Sequence, residues 1–497
     1  MSIHSVFLNR VRKAREAAGD SASGRGGDSG GKAGLNLEEL KPEAMTWHDY
    51  IILLLQVGAE LEHGLMVQYL YGAYSLGGSQ VPDEHRKKVQ EWQASILAVA
   101  REEMGHLICV QNLLVLLGGS LNFGRSDFPY DSPFYPFPFQ LEPLSLSSVA
   151  AYIYAEMPST LESDGDPRYD EFRKNDWPLV QQLVKDRMPV GERAHHVDEI
   201  YEWIIKILGD EDKIPDSAFN ADTYAQQMSW DEWAKGYGPQ ELTPVDEDQD
   251  PPKPKPPREW PARVIVTPMA TRTQVLAVLQ DIAGQGEAPH LGEAGQEPSH
   301  FDRFIEVFAG MRKVEQAPVV RDMVTNPTTQ DVVAKREGNT LLTNPRACAW
   351  ARLANLRYRM LLTYIEEMYA LPEDADTSRP SPRPGVLHRV FGEMYNLKAV
   401  SSVLVRLPAL EGKATPFAGP PFEVPYALDL PDSWRNRWRT HRDLHHAGVT
   451  MCGEMLKDEP PGEGTRFLEA LRELDRQSIT WIEPMLGTPT ASERIVR

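Results

Sequence analysis

The residues best placed to do chemistry begin with Glu103-Met104-Gly105-His106. A Glu and a His three positions apart lie on one helix face, so both can address a single ion. Zinc proteases use two His four apart; Glu-x-x-His is instead the spacing with which helical bundles hold paired redox metals. Alone it carries little, because the same spacing arises on solvated acidic helices. The segment Gln56-Val57-Gly58-Ala59-Glu60-Leu61-Glu62-His63 adds weight, since its carboxylates interrupt an apolar run where an uncompensated charge is costly to bury. Leu55, Ala59, Glu62, Met66 and Tyr69 form one stripe at helical spacing, which turns Glu62 toward the core. Tyr69, two turns later on that face, is positioned to hydrogen-bond a ligand. Glu60 lies about 200° away around the helix and reads as surface or weak outer support. An inward Glu facing an inward Glu/His pair points to metal.

A two-ion centre needs two further carboxylates and a second imidazole to balance charge and fill coordination. The segment His195 to Ile204 offers candidates: Ile200, Trp203, Ile204 and Ile207 define a core side, Glu199 borders it, Glu202 competes, and His196 is a substitute. Glu287 in Gln285-Gly286-Glu287 and His300 in Ser299–Phe304 could complete the set, although spacing alone does not pair them. Glu156, ahead of Pro158, reads first as a helix-end residue and second as a substitute ligand. His441 and His445, four apart with His446 beside them, have a zinc-compatible spacing. No acidic third ligand follows at a recognisable spacing and Arg442 crowds the pair, so the reading is a solvated helix face. Tyr152, Tyr154, Trp203 and Phe301 read as core, with part of that set available to wall a substrate pocket. There is no dinucleotide fingerprint after a strand, no P-loop, no serine elbow and no haem-attachment motif.

These side chains need rigid elements beneath them. Helical patterning covers 46–76, with Thr46 or Asp49 as N-cap and Gly77-Gly78 as the stop, and then 82–117, closed by Gly118-Gly119. Further helices are expected at 145–157, 190–208, 273–283, 299–312, 345–371, 386–406, 433–457 and 462–482. The stretch 121–143 reads as an ordered aromatic loop, and 19–34 as a Gly/Ser-rich flexible arm. Residues 242–262 are too dense in Pro and charge for regular structure. With no sustained strand alternation and no repeat, the chain is predicted to be all-α. Its expected divisions are a flexible N-terminal arm over 1–45, a bundle over 46–312 and a C-terminal helical domain over 313–497.

The bulk properties narrow the function classes. The 497 residues are 41% hydrophobic and 25% charged, an ordinary globular balance. A net charge of -20 argues against a nucleic-acid partner. Three scattered Cys (Cys109, Cys348, Cys452) give neither a disulfide framework nor a thiolate metal site, and fit a reducing compartment. The first residues lack a signal-peptide apolar core, and the longest apolar run, Ile51–Ala59, is too short to span a bilayer. The expectation is a cytoplasmic protein with no membrane partner.

Taken in order, several of these motifs resemble one known group. They are Glu60–His63 with Tyr69 seven residues after Glu62, Glu102–Leu107 with Gly118-Gly119-Ser120 beyond it, and the aromatic Pro loop. Ala155–Pro158, Asp198–Ile204, Gln285–Glu287, Ser299–Phe304 and Phe417–Pro425 follow. The chain resembles the ferritin-like domain of the iminophenyl-pyruvate dimer synthase group, closely over about residues 46–310 and loosely over the final third. That group includes the enzymes that couple two indole-pyruvate imines in violacein and rebeccamycin assembly. The resemblance implies a ferritin-like four-helix bundle with long insertions and an additional C-terminal helical region. It implies metal ligands at Glu62, Glu103, His106, Glu199, Glu287 and His300, with Tyr69 and Glu60 as outer support. His195-His196 depart from the small residues usual before the Glu199 motif.

The implied cofactor is two iron ions, with manganese accepting the same ligands. The implied reaction is an oxygen-dependent oxidation of a small, amino-acid- or imine-derived substrate in secondary metabolism. Carboxylates suit it because they are hard, flexible ligands that tolerate a higher-valent ion, where thiolates would be oxidised. The expected pocket lies between the bundle and loop 121–143, roofed by the C-terminal helices. The runner-up is metal handling, as iron oxidation and storage or peroxide scavenging. The long loop, the insert and the extra helices favour the enzyme. A homodimer is compatible with either reading.

Overall fold

The computed structural model describes residues 6–15, 36–158, 167–188, 198–237, 245–246, 253–254, 263–286, 298–314, 317–371, 381–424 and 429–487. Two long antiparallel helices, α3 (Trp47–Ser75) and α4 (Asp83–Leu116), make the most extensive helix–helix contact of the first half. The ends of α3 are written locally. Thr46 accepts from the backbone of Asp49 and Asp49 returns the bond, a reciprocal capping box. Gly77 and Gly78 then turn the chain at φ 87° and 116°, a region that favours glycine. α3 is long and apolar enough to cross a membrane, but 83% of its apolar window is buried inside the fold, as befits a central core helix.

Around this pair stand α5 (Leu146–Ala155), α8 (Asp198–Gly209), α10 (Arg272–Gly286) and α11 (His300–Lys313), with α5 packed on α11, and α8 on both α3 and α10. Ser145 and Ser299 cap α5 and α11 through reciprocal bonds with Ser148 and Asp302. The sequence did not announce two further helices, α6 (Asp170–Asn175) and α7 (Trp177–Arg187); α7 packs on α5, and α6 on α7. α7 fully buries only Val180 and Val184 and leaves Trp177, Leu179 and Leu183 half-buried, a short apolar stripe to read.

The amino-terminal segment departs from a uniformly flexible arm. Residues 6–15 form a helix, α1, and Leu37–Leu40 a short α2. Phe7 and Val11 are fully buried, with Phe7 edge-on to Tyr50 and stacked on Phe134. The aromatic loop is ordered without helix: Tyr130 and Phe139 exchange backbone hydrogen bonds, and Tyr135 stacks on Phe139 at 4.0 Å. Tyr130, Tyr135 and Phe139 pack into the face of α3 that carries Gly64 and Gln68. That face lies about 200–240° around the helix from Glu62, so these rings act as core packing there.

After a short α9 (Trp230–Trp233), the Pro-rich connection has one two-residue antiparallel pairing, Val245–Asp246 (β1) with Lys253–Pro254 (β2). A second pairing, Pro327–Thr328 (β3) with Thr340–Leu341 (β4), is parallel. The final third forms two helical hairpins, α12 (Pro345–Ala370) with α13 (Arg383–Leu404) and α14 (Trp434–Asp458) with α15 (Glu463–Ile482), joined through α12 against α14. One buried apolar cluster runs through both halves. The segment 417–424 lies between them. Gly419 sits so close to the Tyr71 ring that a Cβ would collide with it, and Glu423 accepts bonds from Thr328, Thr329 and Asn355.

Candidate metal centre

Among the described residues, five buried side chains from four helices converge. Glu62 comes from the middle of α3, Glu103 and His106 from successive turns of α4, Glu156 from the C-cap of α5, and His300 from the first residue of α11; none exceeds 4% exposure. His106 Nδ1 lies 3.0 Å from Glu103 Oε2 and 3.4 Å from Glu62 Oε2. His300 Nδ1 lies 3.1 Å from Glu103 Oε1 and 3.6 Å from Glu156 Oε2. Glu103 therefore offers one oxygen to each imidazole, and the donors divide into two triads that share it, Glu62/Glu103/His106 and Glu103/Glu156/His300.

The donor set fits two cations. Glu62 Oε2 and His300 Nδ1 are buried without a hydrogen-bond partner, although both are aimed into the cluster. Orphaned buried polar atoms of this kind call for an ion or another occupant. The electrostatics agree: burial, followed by the charge of Glu103, pushes the Glu62 carboxyl up to about 7. Burial disfavours the charged form of His106, but Glu103 and Glu62 outweigh it and push the imidazole up to about 10. His300 is driven the same way by Glu103, Glu102 and Glu156 against burial. Without ions, positive charge gathers on the two imidazoles.

Outer groups hold each ligand in place. The Tyr69 hydroxyl donates to Glu156 Oε1, and the Tyr201 hydroxyl to Glu62 Oε1. On their far sides, His106 Nε2 lies 2.9 Å from Gln285 Oε1 and His300 Nε2 lies 3.0 Å from Glu102 Oε2.

Of the residues expected from sequence, Glu62, Glu103, His106 and His300 come together, and Glu156, the helix-end substitute, joins them. Tyr69 bonds a member of the cluster, as its place on the stripe suggested. Glu199 does not join: it is half-buried and paired with Arg15 at 2.8 Å. α8 turns Ile200, Ile204 and Ile207 inward, with Tyr201 against Glu62, and a residue two positions before Tyr201 points away. Glu202 is exposed. Glu60 is near Asn122 rather than the cluster, and burial raises its carboxyl to about 7 against that hydrogen bond. Glu287, His195 and His196 lie outside the described residues, although Gln285 and Gly286 border the site. Tyr201, Glu102 and Gln285 were missed. Each stands beside or within a quoted motif, but sequence does not mark which neighbour of a ligand braces it.

The histidines of α14 also differ from expectation. His441 and His445 are each 1% exposed, so this is no solvated face. His445 Nδ1 lies 2.7 Å from Asp475 and its Nε2 2.6 Å from the Tyr364 hydroxyl, while His441 lies 3.5 Å from Glu367. Glu393, His445 and Asp475 could together reach one cation. Arg357 already occupies that role, with Nη1 2.7 Å from Asp475 Oδ1 and 3.3 Å from Glu393, and Nη2 on Asp475 Oδ2.

Residues 55–309 match the ferritin-like family, and the chain belongs to it. The chain is similar to a dichlorochromopyrrolate synthase from Lentzea aerocolonigenes, 24% identical over 406 residues that cover 75% of this chain and 36% of that protein. It is also similar to a 2-imino-3-(indol-3-yl)propanoate dimerase from Chromobacterium violaceum, 30% identical over 138 residues, which cover 22% of this chain and 13% of the relative. The matched stretches thus span little more than a third of the first relative and far less of the second. No solved structure matches.

Proposed function

We propose that the chain is a non-haem dimetal-carboxylate oxidase or oxygenase. It holds two ions, iron with manganese as the alternative, and uses dioxygen to oxidise a small amino-acid- or imine-derived substrate in secondary metabolism, in a reducing compartment. The observation that carries this reading is Glu103, whose two oxygens each face a different buried histidine, with Glu62 and Glu156 closing the two sides. Two bound redox ions would supply the electrons that reduce dioxygen. The names of the two relatives support the imine-derived substrate class.

The chain's own residues do the rest. Glu103 would bridge, Glu62 and Glu156 would each close one side, and His106 and His300 would bind through Nδ1. Tyr69 and Tyr201 restrain the terminal carboxylates by donating to the oxygens that the Nδ1 atoms do not face. Burial of all five side chains excludes bulk water and strengthens every electrostatic interaction inside. The same burial makes the hydroxyls of Tyr69 and Tyr201 poor proton donors, so they orient without surrendering a proton.

The test measures metal content per chain, then mixes the reduced, Fe(II)-loaded protein with oxygen. Two ions per chain and a rapid absorbance change that decays faster with an added α-amino or α-imino acid support the enzyme. Uptake of many irons per chain would replace this reading with storage, and a chain that takes up no metal would end it.

A further inference from the structure

Among the described residues, the two halves of the centre are nearly alike where they face inward. Each has the shared Glu103, one further carboxylate and one imidazole Nδ1, and each further carboxylate accepts one tyrosine hydroxyl. The difference lies behind the histidines. His300 Nε2 meets a carboxylate, Glu102 Oε2, at 3.0 Å, whereas His106 Nε2 meets a carboxamide, Gln285 Oε1, at 2.9 Å.

Both orientations are fixed by the same residue. The amide N–H of Arg263 donates to Glu102 Oε1 at 2.9 Å, and its carbonyl accepts from Gln285 Nε2 at 2.7 Å. With its nitrogen committed to that carbonyl, Gln285 can present only oxygen to His106. Both imidazoles must therefore donate from Nε2 and keep the Nδ1 lone pair for the centre. Arg303 takes Glu102 Oε1 at 3.1 Å and moderates its charge, but Oε2 remains with His300. A carboxylate draws the Nε2 proton harder than an amide oxygen does, and this raises the electron density at the opposite nitrogen.

We propose that Glu102 and Gln285 make the two metal positions unequal, so that the position of Glu103, Glu156 and His300 fills first and holds its ion more tightly than the position of Glu62, Glu103 and His106. This rests on the two-ion reading above. The chain then loads stepwise, and the His106 position is the one that exchanges its ion.

Anaerobic calorimetric titration of the metal-free full chain with Mn(II), and separately Co(II) followed by absorbance, tests it. The wild type should bind two ions in two resolved steps. Glu156→Gln should abolish the tighter step and Glu62→Gln the weaker. Glu102→Gln should weaken the tighter step by about 10- to 100-fold and spare the other. Gln285→Glu should strengthen the weaker step and bring the two together, which keeps the proposal testable if Glu102→Gln does not fold. Two ions bound with one shared affinity, or a Gln285→Glu chain whose steps stay as far apart as before, would overturn the inequality alone. A wild-type chain binding fewer than two ions would overturn the two-ion reading together with it.

Discussion

Glu103 presents its two oxygens to two different buried imidazoles, which is the place of the bridging ligand in the proposed centre. Glu103→Gln is expected to lower metal content from two ions per chain to fewer than one while circular dichroism stays helical; retention of both ions would remove Glu103 from the centre. Glu60 behaves differently, because it is half-buried near Asn122 and its folded pKa is raised to about 7 from an ordinary 4.5. A raised carboxyl favours folding fully below its unfolded pKa, and that contribution is lost as pH climbs through the folded value. Stability should therefore decline between about pH 4.5 and 7 on account of this residue and level off above. Glu60→Gln keeps an acceptor for Asn122 and cannot ionise, so it should gain about 2 kcal/mol at pH 8 and nothing at pH 4 in denaturant melts.

At the scale of elements, the long helices were legible because several signals agreed. α3 carried a capping residue, a sustained apolar stripe and a double glycine stop, and a Glu inside that stripe identified the inward face. Glu156 was harder to read because it caps a short helix, where no periodicity fixes a side chain's direction. Glu199 misled because its motif was right and its phase was not; Tyr201, two residues on, holds the inward place. His441 and His445 were misread because the acids that meet them, Glu367 and Asp475, sit on other helices, where spacing along the chain says nothing. The irregular segment 263–266 was invisible for the same reason, yet its Arg263 backbone orients Glu102 and Gln285. A Cβ on Gly105 would lie 2.6 Å from the Ile265 carbonyl oxygen, so only glycine lets this segment lie against α4. Gly105→Ala should cost about 1–3 kcal/mol in thermal or denaturant melts and weaken metal binding. Unchanged affinity for both ions would separate the segment from the site.

Across the whole molecule, the two halves are tied by buried polar bonds as well as by a shared apolar core. His63 meets the Tyr358 hydroxyl, Arg125 reaches Tyr358 and the Phe422 carbonyl, and Tyr369 donates to the Ile108 carbonyl at 3.0 Å. Glu423 gathers four donors from Thr328, Thr329 and Asn355 at 2.5–3.0 Å, so Glu423→Ala strands several of them. These bonds lie within the C-terminal half, and the change should cost about 3 kcal/mol in denaturant melts. The second helical bundle, meanwhile, carries its cation on a side chain, where the proposed centre of the first would take its ions from solution. Arg357 sits against Asp475 and Glu393, and Gly448 leaves room for it, since a Cβ there would strike both the guanidinium and the Asp475 carboxylate. A chelator can withdraw an ion but not a side chain. Treated with one, the metal-loaded protein should show faster amide exchange around Glu62 and His106 and unchanged protection along 345–370 and 434–458, so scarcity of metal in its surroundings would loosen the first half and leave the other standing.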